Sequence, residues 1–167
     1  MSEFTLFYGG PFSQWTHCNF TIDGEHYTCC EQYMMAEKAR LFGDTEILQK
    51  IMNIHQPSVQ KDLGKQVRGF VKEKWEEIEE NGKPFCWNVV YRGNMAKFTQ
   101  NPGFKEVLLN TGDTLLVEAS PSDRIWGIGL GEGDPKALDK DSWQGTNWLG
   151  EVITQVREDI RNTPRVV

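Results

Sequence analysis

The side chains with the most chemical potential in this 167-residue chain are Glu31, in TCCEQYMMAEK, and Glu118 and Asp123, in VEASPSDRIWGIGLGEGDP. A carboxylate can hold a proton, take one from water, or sit against positive charge that develops during a reaction. Each also has a plainer reading. Thr28-Cys29-Cys30-Glu31 fits a capping box, in which threonine caps a helix and glutamate reaches back to its amide. Yet a carboxylate in a first helical turn, beside the glycine- and aromatic-rich FYGGPFSQW, is also placed to face a cleft. Lys38 lies two turns further along, roughly on the face of Glu31, as a partner or as a solvated lysine. Asp123 and its glycines fit a surface turn with Trp126 in the core, or a flexible main chain that approaches a ligand closely. The glycines alternate at 127, 129, 131 and 133, which is not the Gly-x-Gly-x-x-Gly spacing of a dinucleotide loop. Asn94 and Lys97, three apart on one side of a helix, suit a phosphate or sugar hydroxyl, or simply a solvated face. Trp75 is a core aromatic or a platform for a flat ring.

The elements that must position these groups read as follows. The first 28 residues form short strands and turns, with FTLFY alternating and NFTIDGEHYT a hairpin about Asp23-Gly24. CEQYMMAEKARLF is a helix stopped by Gly43, and further helices are predicted over 44–53, 58–66 and 68–80. A mostly buried helix spans 85–100 despite Gly93, and Pro102 opens another to about Leu109. Leu115 to Glu118 is a strand, the glycine-rich stretch is irregular, and Asn147 to Arg161 is an amphipathic helix. Together they predict an α+β fold, a helix-rich single domain with a small β-sheet around one core.

Composition narrows the function. Apolar residues make up 38%, with six Trp and nine Phe, enough to expect a packed globule. The net charge of −6 gives no general field for holding a polyanion. No stretch reaches the apolar length of a spanning helix, and the start, MSEFTLFYGG, lacks a basic region followed by an apolar one, so the expected compartment is the cytoplasm, with no membrane partner. Cys18, Cys29, Cys30 and Cys86 form no C-x-x-C pair, and His17, His26 and His55 lack zinc-site spacing. Reduced, partly buried thiols and no metal are expected.

Taken together, FYGGPFSQW, YTCCEQYMMAEKA, LGKQVRGFVKEKW, NMAKFTQNPGFKEVLLNTGDTLLVEASPSDRIWGIG and GTNWLGEVITQVRED resemble the NADAR or YbiA-like family through most of the chain. The resemblance implies a YbiA-like fold and an N-glycosidase, a hydrolase of the ribosyl C1′–N bond in a (phospho)ribosylated base, as in early riboflavin-pathway intermediates. It implies that Glu31, Trp75 and Asp123 take part in catalysis. It also implies that Lys38, Asn94, Lys97, Glu118, Trp126, Gly127, Asn147 and Ser13 bind substrate. The partner is a small ribosylated molecule, and no cofactor is required. The wider family is also linked to NAD and ADP-ribose, so an ADP-ribosylated guanine, and with it nucleic acid, is the alternative substrate; a non-catalytic ADP-ribose or nucleotide sensor is another. Two departures bear on substrate: Gln32 stands where many members have His, and NGKPFCW is an apparent insertion.

Overall fold

Asp23 and Gly24 both have positive φ, 51° and 81°, the pair of left-handed residues that a two-residue turn needs to join twisted strands. They connect β2 (Phe20–Ile22) to β3 (Glu25–Tyr27), an antiparallel hairpin with Phe20 opposite Tyr27. The computed structural model describes residues 3–163. Their contacts gather into two units, one of them Gln14–Asn101, which holds this hairpin, the other running to Ser13 and resuming at Pro102. The fold is α+β: among the described residues there are seven α-helices and two ladders of two strands each. None of those helices is long and apolar enough to cross a membrane.

In the unit Gln14–Asn101, α1 (Cys30–Leu41) is the central element, touching α2 (Thr45–Asn53), α3 (Pro57–Lys65), α5 (Phe85–Gln100) and β3. Its buried residues run from Cys30 through Ala36, with Ala39, and so surround the helix, as expected for a helix enclosed by neighbours. Two glycines permit that enclosure. A Cβ on Gly64 of α3 would collide with the Met35 sulfur, and one on Gly93 of α5 would stand 3.0 Å from a ring carbon of Tyr33. Gly93, a weak point for helix propensity, is therefore a packing surface. Phe20, Tyr27 and Tyr33 complete this core, with ring centroids 5.0–6.2 Å apart.

The helix predicted over 68–80 is not formed. Only α4 (Lys72–Trp75) is helical, and Ile78 instead pairs with Pro84 in an antiparallel bridge. The Glu79 N–H bonds to the Lys83 carbonyl at 2.9 Å, and Gly82 turns the chain with φ 79°. The cause is a missing apolar face: Ile78 is 63% exposed, so a helix continued through EEIEE would bury nothing.

In the other unit, β1 (Phe4–Phe7) pairs in parallel with β4 (Leu115–Glu118), Phe7 opposite Glu118. The remaining helices are α6 (Pro102–Leu109) and α7 (Trp148–Asn162). Helix α7 buries Leu149, Val152, Ile153 and Val156 on one face and lies against β4. Its polar groups complete the outer edge of β4, where a third strand would otherwise bond. Thr154 Oγ1 accepts the Leu116 N–H at 3.0 Å, and the Asn147 side chain takes the next groups along. Ile128 and Leu130 join Val117 and Ala137 in the local core. The alternation G-I-G-L-G thus places apolar side chains inward between glycines.

Candidate functional site

The first turn of α1 decides what Glu31 is for. The helix is capped by Cys29, whose sulfur accepts the Gln32 N–H at 3.4 Å, not by Thr28. Gln32 makes the return contact: its Oε1 accepts the Thr28 N–H at 2.8 Å and the Thr28 hydroxyl at 3.2 Å. The cap is made by Cys29 with Gln32, one residue along from the expected Thr28 and Glu31, and the Gln32 oxygen closes it on Thr28. The Gln32 amide nitrogen then ties the turn to the end of α2 through the carbonyls of Ile51 and Ile54, at 3.1 and 3.4 Å. Glu31 is 7% exposed, with its N–H bonded to the Gln14 carbonyl at 3.0 Å. Its negative charge acts on Lys38, opposing the burial that lowers the lysine pKa. The same charge adds to burial in pushing the Cys29 thiol up to about 11. The Lys38 ammonium lies 4.4 Å from the Phe70 ring centroid.

Asn94 and Lys97 of α5 are each 0% exposed, so the solvated-face reading is overturned. Period 3.6 puts them on one side, as expected, but that side is the interior. The Asn94 nitrogen donates to the Val90 carbonyl and to Gln14 Oε1, both at 2.9 Å, while its oxygen accepts the Cys30 thiol at 3.7 Å. Cys18 and Cys30 interact with each other. That hydrogen bond, opposed by burial and helped by the positive charge of Lys97, lowers the Cys18 pKa. Burial holds Cys30 well above the usual thiol range. Glu31 in the first turn of α1 acts on Lys38 in its last turn, while Asn94 and Lys97 of α5 reach the thiols Cys30 and Cys18. Gln14, which sequence reasoning missed, bridges Glu31 and Asn94.

In the unit that holds β4, Asp123 forms the Asx turn expected of it. Its Oδ1 accepts the N–H groups of Ile125 at 3.0 Å and Trp126 at 2.9 Å. The loop it shapes caps α7: the carbonyls of Gly127, Ile125 and Trp126 accept from Asn147, Trp148 and Leu149 at 3.0–3.1 Å. Asn147, left-handed at φ 54°, uses its side chain on β4, accepting the Glu118 N–H and donating to the Leu116 carbonyl, each at 3.0 Å. It positions Glu118. Burial, with the charges of Asp123 and Glu132, pushes the Glu118 carboxyl up to about 7, and its Oε2 is buried without a hydrogen-bond partner. A Cβ at Gly127 would stand 2.9 Å from the Asp123 carbonyl and 3.0 Å from that of Glu118, so only glycine fits. Trp126 is half-buried edge-on to Trp148, centroids 5.5 Å apart. Ser13 closes the short turn Gly10–Phe12, its N–H on the Gly10 carbonyl at 3.1 Å.

The profile of the NADAR domain matches residues 6–161, nearly the whole chain. The chain belongs to the NADAR family. It is 42% identical over 153 residues to "N-glycosidase R617" of Acanthamoeba polyphaga mimivirus, covering 89% of this chain and 86% of that protein. It is 39% identical over 163 residues to "Protein irg-1" of Caenorhabditis elegans, covering 94% of this chain and 74% of that one. "N-glycosidase YbiA" of Escherichia coli is 27% identical over 151 residues, 90% of this chain and 81% of its own. The solution NMR structure of E. coli YbiA superposes with a TM-score of 0.75 at 24% identity, covering 96% of this chain and 87% of that one. That likeness fixes the fold.

Within this NADAR domain the two departures have structural meanings. Gln32 has both ends of its amide engaged in the α1 cap and the end of α2. The segment NGKPFCW forms the turn at Gly82 and the start of α5. There Asn88 bonds to Glu79 at 2.8 Å and Asn81 to Asn88 at 2.8 Å. Trp75 is 8% exposed and lies edge-on to Phe85, centroids 5.9 Å apart.

Proposed function

We propose that this NADAR domain hydrolyses the ribosyl C1′–N bond of a (phospho)ribosylated base of the kind found early in the riboflavin pathway, with Glu31 as its principal catalytic carboxylate. The coarser activity follows from kinship. Relatives named N-glycosidase align at 27% and 42% identity over 90% and 89% of this chain, and the chain is a hydrolase of N-glycosyl bonds. The observation that carries the role of Glu31 is a carboxylate 7% exposed at a helix start whose cap is made by its neighbours Cys29 and Gln32. A buried acid beside a charged partner such as Lys38 is a candidate for a working site.

Breaking the C1′–N bond leaves positive charge on the sugar ring. A carboxylate held beside that ring stabilises the transition state more than the ground state, because the charge exists only there. A second carboxylate takes a proton from water as the hydroxyl bonds to C1′, and the departing nitrogen, which keeps the C1′–N electron pair, gains a proton in exchange, giving free base and free sugar. On the family resemblance we assign Asp123 and Trp75 to catalysis as well. Both amide contacts of Asp123 fall on Oδ1, so the turn and a role for Oδ2 are compatible. Lys38 and Lys97 suit a phosphate, Asn94 a hydroxyl. Ser13, Trp126 and Gly127 are assigned to substrate binding, and Glu118, held by Asn147, to the same task.

The test is Glu31→Gln assayed for released base against riboflavin-pathway intermediates, NAD, ADP-ribose and ADP-ribosylated guanine. Release is expected to fall by about 10²–10³ with the fold intact, the size of effect seen when one transition-state contact is removed. Wild-type turnover by this variant overturns the assignment. Turnover confined to ADP-ribosylated guanine overturns the substrate class.

A further inference from the structure

Gln14 has an amide that the fold uses only in part. Its backbone carbonyl accepts the Glu31 N–H at 3.0 Å, and its Oε1 accepts from Asn94 Nδ2 at 2.9 Å. The orientation of that side chain is forced. Asn94 Nδ2 also donates to the Val90 carbonyl at 2.9 Å, and its Oδ1 receives the Cys30 thiol. Reversing the Asn94 amide would set oxygen against a carbonyl, which has no proton to give. Gln14 must therefore turn its oxygen to Asn94 and its nitrogen away. That nitrogen, Nε2, is buried and has no hydrogen-bond partner.

Buried amide N–H groups are almost always paired, and an exception calls for a group that completes the set. Here the orphan sits on the residue that holds both Glu31 and Asn94 in place. We propose that Gln14 Nε2 is a substrate-binding donor, giving an N–H to an acceptor oxygen on the ribosyl or phosphate portion of the N-glycoside. The inference rests on the assignment of Glu31 above. A neutral amide suits this task because it stays a donor at every pH and adds no charge beside the carboxylate. An interaction made equally in ground and transition states lowers KM without changing kcat.

Two variants separate binding from positioning. Gln14→Glu keeps an acceptor toward Asn94 and the backbone bond to Glu31 but replaces the donor with oxygen. Gln14→Met keeps the length without introducing a buried charge, and serves if the first variant folds poorly. Base release is measured on the compound from the panel above that the wild type turns over. Stabilisation by ribose 5-phosphate and by ADP-ribose is measured as a shift in Tm, in the wild type and in Glu31→Gln. Both Gln14 variants are expected to raise KM by about tenfold or more, with kcat within about threefold, and to lose the Tm shift that Glu31→Gln retains. Wild-type KM and Tm shift in both variants overturn the proposal, as does a wild type that neither probe stabilises. Loss of kcat with unchanged KM also overturns it, since that is the signature of a positioning residue. Full turnover by Glu31→Gln instead defeats the functional assignment, while the Tm shifts still judge Gln14.

Discussion

Glu118 ends β4 with one carboxylate oxygen buried and unpaired. Burial, then the negative charges of Asp123 and Glu132, push its pKa up to about 7. The folded state therefore binds this proton more tightly than the unfolded chain does. By linkage, its contribution to stability falls as pH rises from the ordinary carboxylate range through about 7, and is level above that. Glu118→Gln carries no charge to desolvate. It is expected to match the wild type near pH 5 and to exceed it at pH 8 by on the order of 1–2 kcal/mol, after allowing for residual solvent contact. Urea unfolding at the two pH values measures this, and an equal difference at both rejects it. Asp123, five residues on, faces its own loop amides.

At the scale of elements, the approach of α7 to β4 is set by a glycine. A Cβ on Gly150 would collide with the Leu116 carbonyl and with the Asn147 amide, which bonds that carbonyl and holds the Glu118 N–H. Gly150→Ala is expected to cost about 1–3 kcal/mol, the usual penalty for overpacking. Gly133, in the same irregular stretch as the packed Gly127, has open space where a Cβ would go, and Gly133→Ala should be neutral or stabilising by up to about 1 kcal/mol. Thermal melts of the two variants check both, and equal effects would mean the contact at Gly150 is not rigid. The sequence made α7 legible because its apolar residues repeat at helical spacing, and the hairpin because Asp-Gly demands left-handed φ. It misled at 68–80, where Val71, Trp75 and Ile78 mimic that spacing although Ile78 faces solvent. The candidate site was legible only as residue types. Asn94 and Lys97 are polar residues on a helix, and nothing local distinguishes a buried polar face from a solvated one. The one-residue shift of the α1 cap depends on a thiol acting as acceptor, a role for which threonine is the ordinary choice. Gln14 was invisible because an unpaired amide is a property of geometry alone.

Among the described residues, two carboxylates with shifted pKa pull the pH dependence of stability in opposite directions. Asp44 caps α2, accepting the Ile47 N–H at 3.1 Å, and binds Arg68 through its backbone N–H at 2.9 Å and its guanidinium at 2.7 and 3.1 Å. The Arg68 contacts, backed by the Ile47 amide, hold its carboxyl well below the usual range. Its stabilisation is complete above the ordinary carboxylate pKa and is lost as pH falls through the depressed folded value. Glu118 acts at the other side, removing stability as pH rises toward about 7. The net charge of −6 adds self-repulsion in that same direction. Stability is therefore expected to peak in the mildly acidic range, near about pH 5, and to decline on both sides. Asp44→Asn should lower the maximum and flatten the acid limb, whereas Glu118→Gln should flatten the neutral limb and leave the acid limb unchanged. Salt separates the two causes on the neutral side, since it screens repulsion among surface charges but not the desolvation of a buried carboxyl. If the decline from pH 5 to pH 8 disappears in 1 M salt, surface repulsion is its source and the buried proton of Glu118 is not; if it persists until Glu118 is replaced, the buried carboxyl sets the limb.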